Sequence, residues 1–71
     1  MPSLPVVSGA EAIRALEKLG FEVKRQRGSH VVLRNGSTVC VVPKHNQLKV
    51  GTLSGVLKQA GVSAEEFVAQ L

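Results

Sequence analysis

The chain has 71 residues, enough for one domain, and a chain this short buries only about 60% of the surface its unfolded form exposes, which excludes a deep enclosed pocket. With 44% hydrophobic residues, no Trp or Tyr and only Phe21 and Phe67 as aromatics, the core must be aliphatic, and stacking platforms for nucleic-acid bases are excluded. Nine Lys and Arg against five Glu give a formal charge of +4 and a pI near 9.9, a balance suited to a polyanionic partner or a solvated basic surface.

All five acids fall between Glu11 and Glu22 or at Glu65 and Glu66, so the stretch from Val23 to Ala64 carries Lys24, Arg25, Arg27, Arg34, Lys44, Lys49 and Lys58 with no carboxylate. The lone Cys40 forms no internal disulfide and reads as a packed apolar residue. No apolar run approaches the roughly 20 residues that span a bilayer, and Met1-Pro2-Ser3-Leu4-Pro5 lacks a cationic signal-peptide start; the expectation is a cytoplasmic protein.

In chain order, Ser8 and Glu11 have capping-box spacing, and Ala12, Ile13, Leu16 and Leu19 recur at helical intervals before Gly20, predicting a first helix over residues 9–19. From Phe21 the period changes to two, predicting a half-buried strand. Ser29 to Arg34 and Ser37 to Val42 read as two further strands joined through Asn35-Gly36, a two-residue hairpin signal. That turn pairs Arg34 with Ser37, Val32 with Val39 and His30 with Val41. Between the first two strands, a three-residue loop Gln26-Arg27-Gly28 with Gly28 in a bulge keeps the apolar residues in phase and sets Lys24 across from His30. Phe21, Val23, Val31, Leu33, Thr38, Cys40 and Val42 then share the core face. Lys24, His30, Val32, Arg34, Ser37, Val39 and Val41 share the other.

Pro43 ends the third strand, and Lys44-His45-Asn46-Gln47 leads to a second helix from near Gly51-Thr52, with Leu53, Val56, Leu57 and Ala60 as its apolar stripe and Gly61 as its stop. Ser63 and Glu66 repeat the capping-box spacing before a short helix containing Phe67, Val68 and Leu71. The expected fold class is α+β: an α-β-β-β-α order with a three-stranded antiparallel sheet, helices on one face and a short C-terminal helix, in one domain over residues 1–71.

The chemistry-bearing candidate is His30, after Gly28-Ser29 on the open sheet face. RNA cleavage needs a base for the 2′-hydroxyl proton and an acid for the departing 5′ oxygen, and imidazole, with an ordinary pKa of about 6.5, serves either step. Lys24, Arg25 and Arg34 are positioned to hold the phosphate. An isolated strand histidine can equally be a polar surface residue. His45, between Lys44 and Lys49 near a helix start, can contact RNA, supply a second proton transfer, or merely stabilise the loop or cap the helix. Two His, one Cys and remote Glu residues show no metal-ligand spacing, Ser29-His30 has no elbow or third carboxylate, and no Walker or Rossmann loop occurs. Val32, Val39 and Val41 give the open face an apolar character that suits a protein partner or is ordinary surface. A partner there would also cover His30.

Several motifs in fixed order, Gly9 through Gly20-Phe21, Arg27-Gly28-Ser29-His30, Val42-Pro43-Lys44-His45, Leu48-Lys49-Val50-Gly51-Thr52-Leu53 and Leu57-Lys58-Gln59-Ala60-Gly61, give a sequence that resembles the HicA-type (YcfA-like) mRNA interferase toxins from Ser8 to Phe67. Val50 departs from the Pro or Lys of many members. The resemblance implies a double-stranded-RNA-binding-domain-like fold and metal-independent endonucleolytic cleavage of mRNA without a cofactor. It maps the family's Gly-Ser-His histidine to His30 and implies a HicB-type antitoxin as partner; from the basic stretch itself, Lys24, Arg25, Arg27, Arg34, Lys44, His45 and Lys49 are the expected RNA contacts. A noncatalytic RNA-binding module and a pure protein-interaction subunit are the alternative readings.

Overall fold

The computed structural model describes residues 3–71; Met1 and Pro2, part of the segment read above for a signal peptide, lie outside the described residues. The element order is α1 (Gly9–Lys18), β1 (Glu22–Arg27), β2 (His30–Asn35), β3 (Thr38–Pro43), α2 (Val50–Ala60) and α3 (Ala64–Val68). The three strands form one antiparallel sheet in the order β1-β2-β3. This is the expected α-β-β-β-α arrangement, consistent with a double-stranded-RNA-binding-domain-like fold.

Each helix boundary has a local cause. At α1 the Ser8 hydroxyl accepts from the Glu11 N–H at 3.0 Å while the Glu11 carboxylate accepts from the Ser8 N–H at 2.9 Å, satisfying two otherwise free donors. Those bonds hold the Glu11 carboxyl below its ordinary pKa of 4.5. At the other end the Phe21 N–H reaches the Leu16 carbonyl and the Gly20 N–H that of Glu17, a Schellman closure with Phe21 and Leu16 both buried. In the same way α2 closes through Gly61 and Val62, and α3 begins on a reciprocal Ser63–Glu66 box.

The core is the aliphatic one that the composition requires, with Leu16, Leu33, Leu53, Val42 and Phe67 fully buried. Cys40 is buried among them, and burial raises its thiol pKa. The helices lean on β3, α2 most closely, whereas β1 receives at most glancing cover. That asymmetry corrects the placement of Val23: it pairs with buried Leu33 on the core side, yet it lies on the edge strand beyond the helices and is 44% exposed. Leu71, expected in the last helix, lies past its end and is exposed.

The strand pairing differs from expectation at both turns. In the second hairpin Asn35 pairs with Thr38, so Gly36-Ser37 are the central residues instead of Asn35-Gly36, and the pairing becomes Val32 with Val41 and His30 with Pro43. In the first, Arg27 pairs with His30 across Gly28-Ser29, replacing the three-residue loop. Gly28 and Gly36 have φ of 58° and 62°, and among the described residues no non-glycine has positive φ. A left-handed first central residue alone is the requirement of a type II′ turn, whereas Asn-Gly in the centre of a type I′ turn needs two. The irregularity moves into β1, between Val23 and Arg25, leaving Lys24 as the extra residue.

Candidate active site at one end of the sheet

Pairing and burial divide the sheet into a buried face, with Val31, Leu33, Cys40 and Val42, and an uncovered face. On the uncovered face three rows cross the strands: Arg27, His30 and Pro43; Arg25, Val32 and Val41; Glu22, Arg34 and Val39. His30 is exposed, with Arg27 directly opposite on β1. The expectation that Lys24 faces His30 is therefore overturned, because the two-residue Gly28-Ser29 turn sets Arg27 opposite His30 and leaves Lys24 farther along β1, in the bulge. Lys24 instead lies 3.7 Å from Glu22, an exposed ion pair of little energetic weight.

The expected RNA contacts separate into groups. Arg27, His30, Lys44 and His45 gather at the end of the sheet formed by the first turn. Arg25 is one row inward. Arg34 stands four residues from His30, roughly 13 Å along the strand, too far to share one phosphate-sized group with it. Lys49 precedes α2 and lines a shallow groove of about 270 Å³ with Pro43, His45, Gln47, Leu48 and Thr52.

A group of backbone bonds builds this end. The Lys44 N–H donates to the Ser29 carbonyl at 2.6 Å, extending the β2–β3 ladder one step beyond Pro43. The His45 N–H then turns back onto the Pro43 carbonyl at 2.9 Å, a three-residue γ-turn. The reversed loop is received by the chain entering α1, where the Gly9 N–H donates to the His45 carbonyl at 2.8 Å and the Val7 carbonyl accepts from Leu48. Gly9 is essential to this approach: a Cβ there would collide with the Pro43 carbonyl and lie 2.6 Å from the Lys44 Cα.

The same loop brings the His45 ring to the first turn, with Nε2 3.4 Å from the Ser29 hydroxyl. His45 does not cap α2; the cap position is Lys49, with no side-chain hydrogen bond. In the sequence Gly28-Ser29-His30 and Pro43-Lys44-His45 stand apart, and Ser29 reads only as an unpromising nucleophile. The link between them depends on a long-range contact through Gly9 and carries no local signature. Among the described residues no three His, Cys, Asp or Glu side chains gather as a metal site requires, and no helix is long and apolar enough to cross a membrane.

The chain is thus a small α+β domain with a basic-edged, uncovered sheet and a histidine at its end. Residues 9–62, more than half of the chain, match the HicA toxin family of bacterial toxin-antitoxin systems, and the chain belongs to that family. Membership makes it the toxin side of a pair whose counterpart is an antitoxin. No individually curated protein matches the chain.

Proposed function

We propose that this chain is an endoribonuclease that cleaves mRNA without a metal, using His30 for proton transfer, and that a HicB-type antitoxin silences it by covering the open sheet face. The supporting observation is the exposed His30 directly across from Arg27, at the one end of the sheet where Lys44 and His45 also converge. An imidazole beside a guanidinium provides both functions that phosphodiester cleavage demands: a proton carrier and a fixed positive charge for the extra negative charge at phosphorus. Arg25, Arg27, Lys44 and Lys49 track the RNA backbone, while Val32, Val39 and Val41 give the antitoxin an apolar footing next to the histidine. Lys24 and Arg34 contribute to the wider basic field. The chain acts in the cytoplasm, where mRNA is available.

The test uses nuclease-free purified chain and a single-stranded mRNA. Wild type cuts the RNA, and His30→Ala reduces the rate by about 10²–10⁴-fold. In a bacterial host the wild-type chain arrests growth, His30→Ala does not, and co-expressed HicB-type antitoxin restores growth. RNA that is bound but left intact by the wild type would replace the enzyme with a noncatalytic binding module.

A further inference from the structure

Cleavage by one histidine leaves half of the proton bookkeeping unassigned, and the loop carrying His45 is built with unusual care for an exposed segment. Its backbone is fixed by the Lys44 N–H to Ser29 carbonyl bond, the γ-turn onto Pro43 and the Gly9 N–H on the His45 carbonyl, at 2.6, 2.9 and 2.8 Å. Its ring is held against the Ser29 hydroxyl, one residue before His30, and does not serve the helix that follows. Ring and strand are therefore coupled by a short path: through Ser29 the His45 Nε2 lies at most roughly 10 Å from the His30 Cα, within the reach of one nucleotide unit.

We propose that His45 is the second catalytic residue, performing the proton transfer that His30 does not, and that Ser29 is its positioning residue. This rests on the cleavage reading above. In the reaction one imidazole takes the 2′-hydroxyl proton as the 2′ oxygen bonds to phosphorus. The bond from phosphorus to the 5′ oxygen breaks, and the other ring, starting as imidazolium, gives that oxygen its proton. The products are a 2′,3′-cyclic phosphate and a 5′-hydroxyl; the two rings finish with exchanged protonation and reset with water. The ionisable groups on the meeting elements are Lys44 and Lys49 beside His45 in sequence and Arg27 and His30 across the first turn. From α1, Gly9 brings backbone only, and the Glu11 carboxylate is engaged by the Ser8 N–H. No carboxylate in this set competes for either proton.

The test compares single-turnover cleavage against pH for wild type, His30→Ala, His45→Gln and Ser29→Ala, with RNA affinity measured alongside. Wild type should give a two-limbed profile. His45→Gln should lose about 10²–10⁴-fold in rate and one of the limbs, with affinity nearly unchanged. Ser29→Ala should keep both limbs at a rate about tenfold lower, and Ser29→Thr, which retains the hydroxyl, should recover most of it. A His45→Gln enzyme with both limbs intact, or one that loses affinity alone, overturns the proposal. So does a Ser29→Ala enzyme at full wild-type rate, a result readable even if the His45 variant fails to fold. A wild type as inert as His30→Ala would sink the cleavage reading itself. Activity lost in His30→Ala but kept in His45→Gln would sink only the role of His45.

Discussion

Arg27-Gly28-Ser29-His30 and Asn35-Gly36-Ser37-Thr38 reverse the chain in the same manner, each with a left-handed glycine followed by serine, yet their surroundings differ. The first turn is met by the 43–48 loop: its serine carbonyl accepts from Lys44 and its serine hydroxyl lies against His45. The second has the Asn35 amide beside Gly20 at its flank. Local chemistry makes both turns; the long-range contact through Gly9 makes one of them a site.

The most disruptive change to this contrast is Gly9→Ala. A methyl group would push against the Pro43–Lys44 backbone, which cannot yield as a flexible side chain can. We expect a loss of about 1–3 kcal/mol in urea unfolding, together with a disproportionate fall in cleavage as the loop withdraws from Ser29. Gly28→Ala and Gly36→Ala form the matched pair. Neither added methyl meets anything within 4 Å, and both would occupy a left-handed conformation, so each should cost about 1–2 kcal/mol in stability. Only the first should impair cleavage; equal activity losses would dissolve the distinction between the turns.

A gentler probe is salt. If Arg25, Arg27, Lys44 and Lys49 each meet one phosphate, log affinity for single-stranded RNA should fall against log salt with a slope of about −3, and Arg27→Gln should flatten it, while Arg34→Gln leaves cleavage at His30 largely intact. The smallest effect concerns acid. The Glu11 and Glu66 carboxyls are held below the ordinary value of 4.5 by their capping bonds. Their contribution to stability is complete above that pH and is lost as the pH falls through the lowered folded values. Glu11→Gln should therefore remove part of the acid slope seen in thermal unfolding, in the element that delivers Gly9 to the site.

The faces of the second hairpin were legible even though its pairing was not. The actual register differs from the expected one by two positions, and because strand side chains alternate with a period of two, Val31, Leu33, Cys40 and Val42 keep their burial and His30 its exposure. The choice between Asn35-Gly36 and Gly36-Ser37 as central residues is decided by which glycine conformation the strands accept, and both dipeptides suit a tight turn. The bulge at Lys24 was hidden for another reason: all six residues of β1 are exposed, so no apolar periodicity fixes its phase. Helices were read more accurately because Ser8, Ser63 and the glycines that follow α1 and α2 mark their ends chemically. The meeting of Ser29 and His45 depends on how distant segments pack, and neighbouring residues do not encode it.

At the outer border of β3, the side chain of Gln59 on α2 accepts from the Val41 N–H at 3.2 Å. The opposite border, β1, is bent by its bulge and carries two arginines and a lysine. The Gln59 contact on one margin and the bulge with its cations on the other interrupt the straight row of amides that recruits further strands. Valines displayed on a sheet surface invite stacking into fibrils, and guarded margins of this kind work against it.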